Sequence, residues 1–301
     1  MYVITGATGY TGSVAAEKLL ATGAKVRVVG RDAKRLERFS QKGAEAVVAD
    51  VTDAAALEKA FSGASAVYAL IPPSPANPDV RTYQEKVTDN LASAIRKNGV
   101  AYAVALSSTG GDKTYGTGPV VGLHRMEEKL GAIDALNVIF LRAGYFMENL
   151  LGQIGLIQSM GLMASPVRAD LVLPMIATRD IGTTAAEWLA KLDFKGKQAR
   201  ELLGARGVSY AEAAKVIGAA IGKPDLTYRQ APGAQVKPAM LQMGLSSSMA
   251  DMLIEMCEEG LNTGHMRALE PRSSANTTAT TIETFVAEVF VPAYRGKAAR
   301  A

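Results

Sequence analysis

The stretch Tyr2-Val3-Ile4-Thr5-Gly6-Ala7-Thr8-Gly9-Tyr10-Thr11-Gly12 decides how the chain folds. Residues 2–5 are all aromatic or β-branched, glycines follow at once, and residues 11–21 continue in a helical pattern. A strand that runs into a glycine-rich turn and then a helix opens a βαβ unit. Each glycine has its own task there. Gly6 permits the sharp turn out of the strand, Gly9 lets the backbone approach a diphosphate with no Cβ in the way, and Gly12 lets the helix pack on the sheet. The N–H groups at the helix start then face negative charge. The G-x-x-G-x-x-G spacing differs from G-x-G-x-x-G and points to a particular group of dinucleotide-binding proteins.

Working outward, short apolar runs at residues 25–29, 45–49, 66–70, 101–106 and 137–141 read as strands. Helical patterns at residues 34–41, 54–61, 80–97 and 123–132 separate them. This alternation predicts right-handed βαβ units in a doubly wound parallel sheet, with ligands at the carboxyl ends of the strands. The expected α/β architecture is a Rossmann-type domain over residues 1–150 and a smaller substrate subdomain over residues 151–301, some of whose segments return to the sheet. In that second part helical patterns occupy residues 178–192, 209–222, 248–259 and 281–290, and the tail, residues 295–301, reads as frayed. Ten of the twelve methionines fall from Met147 onward; they either fill core or line a pocket for a flat apolar ligand.

Composition excludes several classes. With 301 residues, 48% hydrophobic and 21% charged, the chain reads as a soluble globular protein. A net charge of +4 is too small to argue for nucleic acid. The single cysteine, Cys257, excludes a disulfide framework and suits a reducing compartment. The two histidines, His124 and His265, exclude a histidine-rich metal cluster. The start at Met1-Tyr2-Val3-Ile4 shows no basic region followed by an apolar core, so no secretion signal is expected; the uncharged run between Glu148 and Arg168 is interrupted by Gln, Ser, Pro and Gly, so no membrane span is expected. The expected location is cytoplasmic.

The second strand ends in Val28-Val29-Gly30-Arg31-Asp32. An acid here selects NAD through a ribose 2′-hydroxyl; an arginine accepts the 2′-phosphate of NADP. Arg31 occupies the position, Lys34 and Arg35 add positive charge, and Asp32 reads as the N-cap of the next helix. NADPH is therefore expected over NADH. Asp50-Val51 either abuts the adenine edge, or Asp50 caps the helix that starts after Thr52. Leu70-Ile71-Pro72 and Pro73 form a rigid wall near the cofactor or a structural loop.

Catalytic groups are harder to find. None of the ten tyrosines is followed four residues later by lysine, so the acid–lysine pair of short-chain dehydrogenases is missing, and no G-x-S-x-G elbow occurs. Ser107 and Ser108 follow the fifth strand, where a nicotinamide would lie; each can bond a substrate oxygen or simply cap a turn. His124 and Glu128 share a helical face, as a proton donor near neutrality or as a surface pair.

Four segments in order resemble the NmrA-like family, a branch of the atypical short-chain dehydrogenases/reductases. They are residues 3–12, the helix with His124-Arg125-Met126-Glu127-Glu128, Leu141-Arg142-Ala143-Gly144-Tyr145-Phe146-Met147-Glu148-Asn149-Leu150, and Val208-Ser209-Tyr210-Ala211-Glu212-Ala213-Ala214. The resemblance implies NADPH-dependent quinone or dye reductases, or non-catalytic redox sensors that bind dinucleotide and a protein partner. It implies that Gly6, Thr8, Gly9, Tyr10, Thr11 and Gly12 hold the diphosphate and Arg31 the 2′-phosphate. Ser107, His124, Tyr145 and Phe146 would border the nicotinamide and an aromatic small-molecule substrate. The reading that results is an NADPH-dependent reductase of a flat, electron-poor acceptor, a monomer or homodimer without metal; the alternative is an NADP(H) sensor.

Overall fold

The computed structural model describes residues 1–296; most of the tail expected to fray lies outside the described residues. The first half alternates as the pattern predicts: β1 (Tyr2–Ile4), α1 (Tyr10–Ala21), β2 (Val26–Gly30), α2 (Ala33–Ser40), β3 (Glu45–Val48), α3 (Ala54–Ala60), β4 (Ala66–Ala69), α4 (Val80–Lys97), β5 (Tyr102–Ser108), α5 (Val120–Gly131) and β6 (Asn137–Ala143). The chain then leaves the sheet through β7 (Tyr145–Phe146), a 3-10 turn at Met147–Gln153, α6 (Ile154–Met160), β8 (Leu162–Ser165) and β9 (Leu173–Ile176). It comes back with α7 (Thr178–Lys191) and β10 (Lys197–Leu202). It departs again through β11 (Gly207–Val208), α8 (Tyr210–Ile221), β12 (Thr227–Gln230), α9 (Gly233–Gln242) and α10 (Ser247–Glu255).

The seven-stranded sheet has the order β10-β6-β5-β4-β1-β2-β3, every pair parallel. The order reverses between β1 and β4, which opens a crevice at their carboxyl ends. Successive strand residues serve opposite cores. Val3, Val67 and Ala69 pack on the face covered by α3, α4 and α5. Ile4, Ala66 and Tyr68 pack on the face covered by α1, α2 and α7. Burial on both faces explains why these strands read as continuous apolar runs. A third core, containing Met163, Tyr210, Ile217, Phe285 and Phe290, sits under the two small sheets, β11-β9-β7 and β12-β8. Among the described residues no helix is long and apolar enough to cross a membrane.

Helix α7 was legible in the sequence, but not its place. It lies against α1, and Gly182 makes that closeness possible: a Cβ there would stand 2.5 Å from the Thr11 carbonyl oxygen and 2.7 Å from the Val14 Cβ. The Gly182→Ala protein should therefore lose about 1–3 kcal/mol of stability by overpacking, seen as a lower urea midpoint with an unchanged slope.

Candidate functional site

Glycine geometry shapes one end of the crevice. Gly6 leaves β1 at φ +61°, and the Gly9 N–H donates to the Gly6 carbonyl at 2.9 Å. A Cβ on Gly12 would collide with that same carbonyl, so the helix start can lie this close to the strand only with glycine. Thr5 braces the turn: its hydroxyl donates to the Tyr68 carbonyl at 2.9 Å and accepts from the Leu70 N–H at 3.3 Å. Asp32, Asp53 and Asp79 cap α2, α3 and α4 with their carboxylates, whereas Gly9 at the start of α1 brings no side-chain acceptor. The first-turn N–H groups of α1 are left for a ligand.

Arginines gather beside that end. Arg31, at the exit of β2, and Arg35 line the crevice. The Arg35 guanidinium donates to the Thr8 carbonyl at 2.6 Å and folds over the glycine turn. Arg35 and Arg38 also border an adjoining hollow of about 400 Å³ with Thr8, Gly9, Tyr10 and Ser13. Lys34 lines neither. Asp32 accepts from the Arg35 N–H at 3.3 Å, so its carboxylate serves α2.

Asp50 does not cap α3; Asp53 does. Asp50 instead accepts from the Thr52 N–H at 2.8 Å and the Thr52 hydroxyl at 2.7 Å, and lines the crevice with Val51. Burial pushes its carboxyl up, but the Thr52 hydrogen bonds, with Arg31 and Lys86 nearby, outweigh this and hold it below its ordinary value. The wall of Leu70, Ile71, Pro72 and Pro73 borders the same space, and the Tyr83 hydroxyl fixes it by donating to the Pro72 carbonyl at 3.0 Å.

At the ends of β5 and β6 lies a buried hydrogen-bond network. The Ser107 hydroxyl, 1% exposed, donates to the Glu127 carboxylate at 2.5 Å. Arg142 grips the same carboxylate with two donors, at 3.0 and 2.6 Å. The Glu127 hydrogen bonds hold the guanidinium more firmly protonated than usual. Ser107 lines the crevice, but its proton is committed to Glu127. The Ser108 proton is spent locally, on the Thr109 carbonyl at 3.0 Å.

His124 does not border the crevice. Val120 and Leu123 of α5 do, and helical periodicity turns the next position toward the loop before the helix. There its Nδ1 lies 2.9 Å from the Gly111 carbonyl, so Nδ1 carries the hydrogen, and Nε2 stands 3.4 Å from Glu128. His124 and Glu128 do share a helical face, but Nε2 has no hydrogen-bond partner among the described residues; the bond His124 makes is the one from Nδ1 to the glycine loop.

The far end of the crevice comes from the methionine-rich second part, where core filling and pocket lining are both open readings of the sequence. Leu171, Val172, Met249, Leu253, Met256 and Met266 line it. Helix α10 roofs it, latched where the Ser246 N–H donates to the Pro75 carbonyl at 2.8 Å and the Val80 N–H donates to the Ser248 hydroxyl at 3.2 Å. A strap at residues 266–272 forms a rim. Glu201, on β10 and 5% exposed, accepts from the Leu269 and Glu270 N–H groups at 2.8–2.9 Å, and Arg272 donates to the Leu203 and Gly204 carbonyls. Tyr145 and Phe146 border the crevice where it passes the end of β6. The whole is one cleft of about 1130 Å³.

The NmrA-like family model matches residues 2–286, and the chain belongs to that family. The NADPH-dependent quinone oxidoreductase of Escherichia coli, solved with NADPH, superposes with a TM-score of 0.81 at 22% identity, over 96% of this chain and 100% of that one. The triphenylmethane reductase of Citrobacter sp., solved with NADP(H), superposes with a TM-score of 0.76 at 17% identity, over 94% of this chain and 98% of that one. At these identities the likeness is one of fold. Cinnamoyl-CoA reductase 1 of Oryza sativa subsp. japonica is 35% identical over 114 residues, 36% of this chain and about a third (34%) of that enzyme's length.

Two outcomes check this geometry. Arg142→Ala strands the Glu127 carboxylate without its cation and should cost about 3 kcal/mol in urea unfolding. Cys257 is 6% exposed, and burial, with Glu258 nearby, pushes its thiol up to about 12. At pH 8 it should resist iodoacetamide in the native protein and react once unfolded, because the thiolate is the nucleophile.

Proposed function

We propose that the chain is an NADPH-dependent reductase that passes hydride to a flat, electron-poor acceptor such as a quinone or dye. The observation that carries this reading is the continuity of the cleft. It begins at the uncapped start of α1 among arginines and ends beneath a roof rich in methionine and leucine. The residues fit the cofactor: the backbone of Gly6, Gly9, Tyr10 and Thr11 receives a diphosphate, with Thr8 and Gly12 shaping the turn. Arg31 and Arg35 receive a 2′-phosphate, Asp50 and Val51 the adenine side, and Leu70, Ile71 and Pro72 the wall. Ser107, Tyr145 and Phe146 border the nicotinamide end. Bound NADPH supplies a hydride; the protein supplies placement and excludes water. An acceptor whose product charge is delocalised needs little acid catalysis, which reconciles a reductase with the missing tyrosine–lysine pair. The related quinone and triphenylmethane reductases support this choice of acceptor.

The first experiment titrates the protein with NADPH and NADH by nicotinamide fluorescence, then adds menadione and follows loss of reduced-nicotinamide absorbance. NADPH should bind more tightly. Arg31→Ala and Arg35→Ala should each weaken it about tenfold, the effect of one charge-assisted hydrogen bond, and leave NADH nearly unchanged. Tight binding without turnover on a panel of quinones and dyes would favour the sensor, whose partner affinity must differ between oxidised and reduced dinucleotide. Binding of neither dinucleotide would sink the reading.

A further inference from the structure

Resting on the reductase reading, we infer that the Tyr145 hydroxyl is the hydrogen-bond donor to the acceptor's carbonyl oxygen, because Tyr210 donates to Tyr145 and leaves the Tyr145 proton unspent. The two hydroxyl oxygens lie 2.7 Å apart, and distance alone permits either direction. Satisfaction of buried donors decides it. Tyr210 is 2% exposed, so no solvent reaches its O–H, and among the described residues Tyr145 is the one hydrogen-bond partner of that hydroxyl. Were Tyr145 the donor, the Tyr210 proton would be buried without an acceptor, an arrangement native structures avoid. Tyr210 therefore donates. A phenol oxygen that accepts from Tyr210 still carries one hydrogen to give.

Position supports the role. Tyr145 lines the cleft two residues beyond Ala143, which pairs with Ser108 at the carboxyl end of the sheet, where a nicotinamide lies in this architecture. Competing hydroxyls there are spent or enclosed. Ser107 gives its proton to Glu127, Ser108 to Thr109, and Thr178 to Glu148 at 2.6 Å. The Thr109 hydroxyl is unpartnered but sealed from solvent.

Reduction adds a hydride with its electron pair to the acceptor and leaves the nicotinamide oxidised. The acceptor's π electrons move onto a carbonyl oxygen, which becomes an oxyanion. Tyr145 hydrogen-bonds that oxygen and keeps its own proton, since burial pushes the phenol well above its ordinary value. The oxyanion takes its proton from solvent as the product leaves.

The test compares wild type, Tyr145→Phe and Tyr210→Phe. With oxidised NADP and menadione bound no turnover occurs, and the infrared carbonyl stretch of menadione reports the hydrogen bond directly. Wild type should lower that stretch relative to free menadione, and Tyr145→Phe should restore it. Tyr145→Phe should also lower kcat/KM for menadione on the order of 10²-fold, as loss of one preorganised donor does, with NADPH affinity within about threefold. Tyr210→Phe should have a smaller effect of the same sign. An unshifted stretch in wild type, a shift that survives in Tyr145→Phe, or a gain of activity in Tyr210→Phe would overturn the inference. Failure of wild type to bind NADPH would instead overturn the reductase reading, and this donor with it.

Discussion

The carboxylate of Glu127 sits where three elements must agree. It takes a proton-sharing contact from Ser107 at the end of β5 and a two-pronged grip from Arg142 on β6, while itself belonging to α5. A carboxylate 9% exposed is tolerable only when its charge and lone pairs are met, and here they are. The constraint spreads outward. A Cβ on Gly111 would stand 2.5 Å from the Glu127 oxygen and 2.7 Å from the Ser107 oxygen, so the loop after β5 crosses this point with glycine. That loop then receives His124, and its later part packs on the roof. The carboxylate thus aligns two strand ends with the crevice, and in holding Ser107 it withdraws that hydroxyl from proton donation.

Much of the Rossmann half was legible because burial on both faces imposes a simple pattern. The apolar runs placed β1 to β6 within about two residues, and the glycine spacing marked the turn. Asp32 was readable as a cap because a short acid before a helical run satisfies free N–H groups. The same logic fails at Asp50. One oxygen of its carboxylate is held by Thr52 within the turn, and Asp53, three residues on, does the capping. A sequence offers both acids and does not say which N–H groups each will meet.

Elsewhere the signal was weaker for physical reasons. Strand β10, Lys197-Gln198-Ala199-Arg200-Glu201-Leu202, lies at the sheet edge and carries charge, so it lacks the apolar run that betrays a central strand. Strands of two residues, such as β7 and β11, exist only through their tertiary neighbours. His124 shows the limit of helical spacing. The i, i+4 rule put it beside Glu128 on one helical face but could not tell which side of α5 faces the cleft. Tyr145 was placed at the cleft through resemblance; the direction of its hydrogen bond depended on the burial of Tyr210, sixty-five residues away.

The return of the chain to the sheet with β10 bears on how the protein emerges during synthesis. β6, Asn137-Val138-Ile139-Phe140-Leu141-Arg142-Ala143, is complete long before its outer neighbour is made. Until then it is a flat apolar edge, the kind of surface that pairs with other chains. The strand that finally covers it exposes Lys197 and Arg200 to solvent. The nascent chain therefore passes through an interval of vulnerability to aggregation, which ends when a charged border strand arrives.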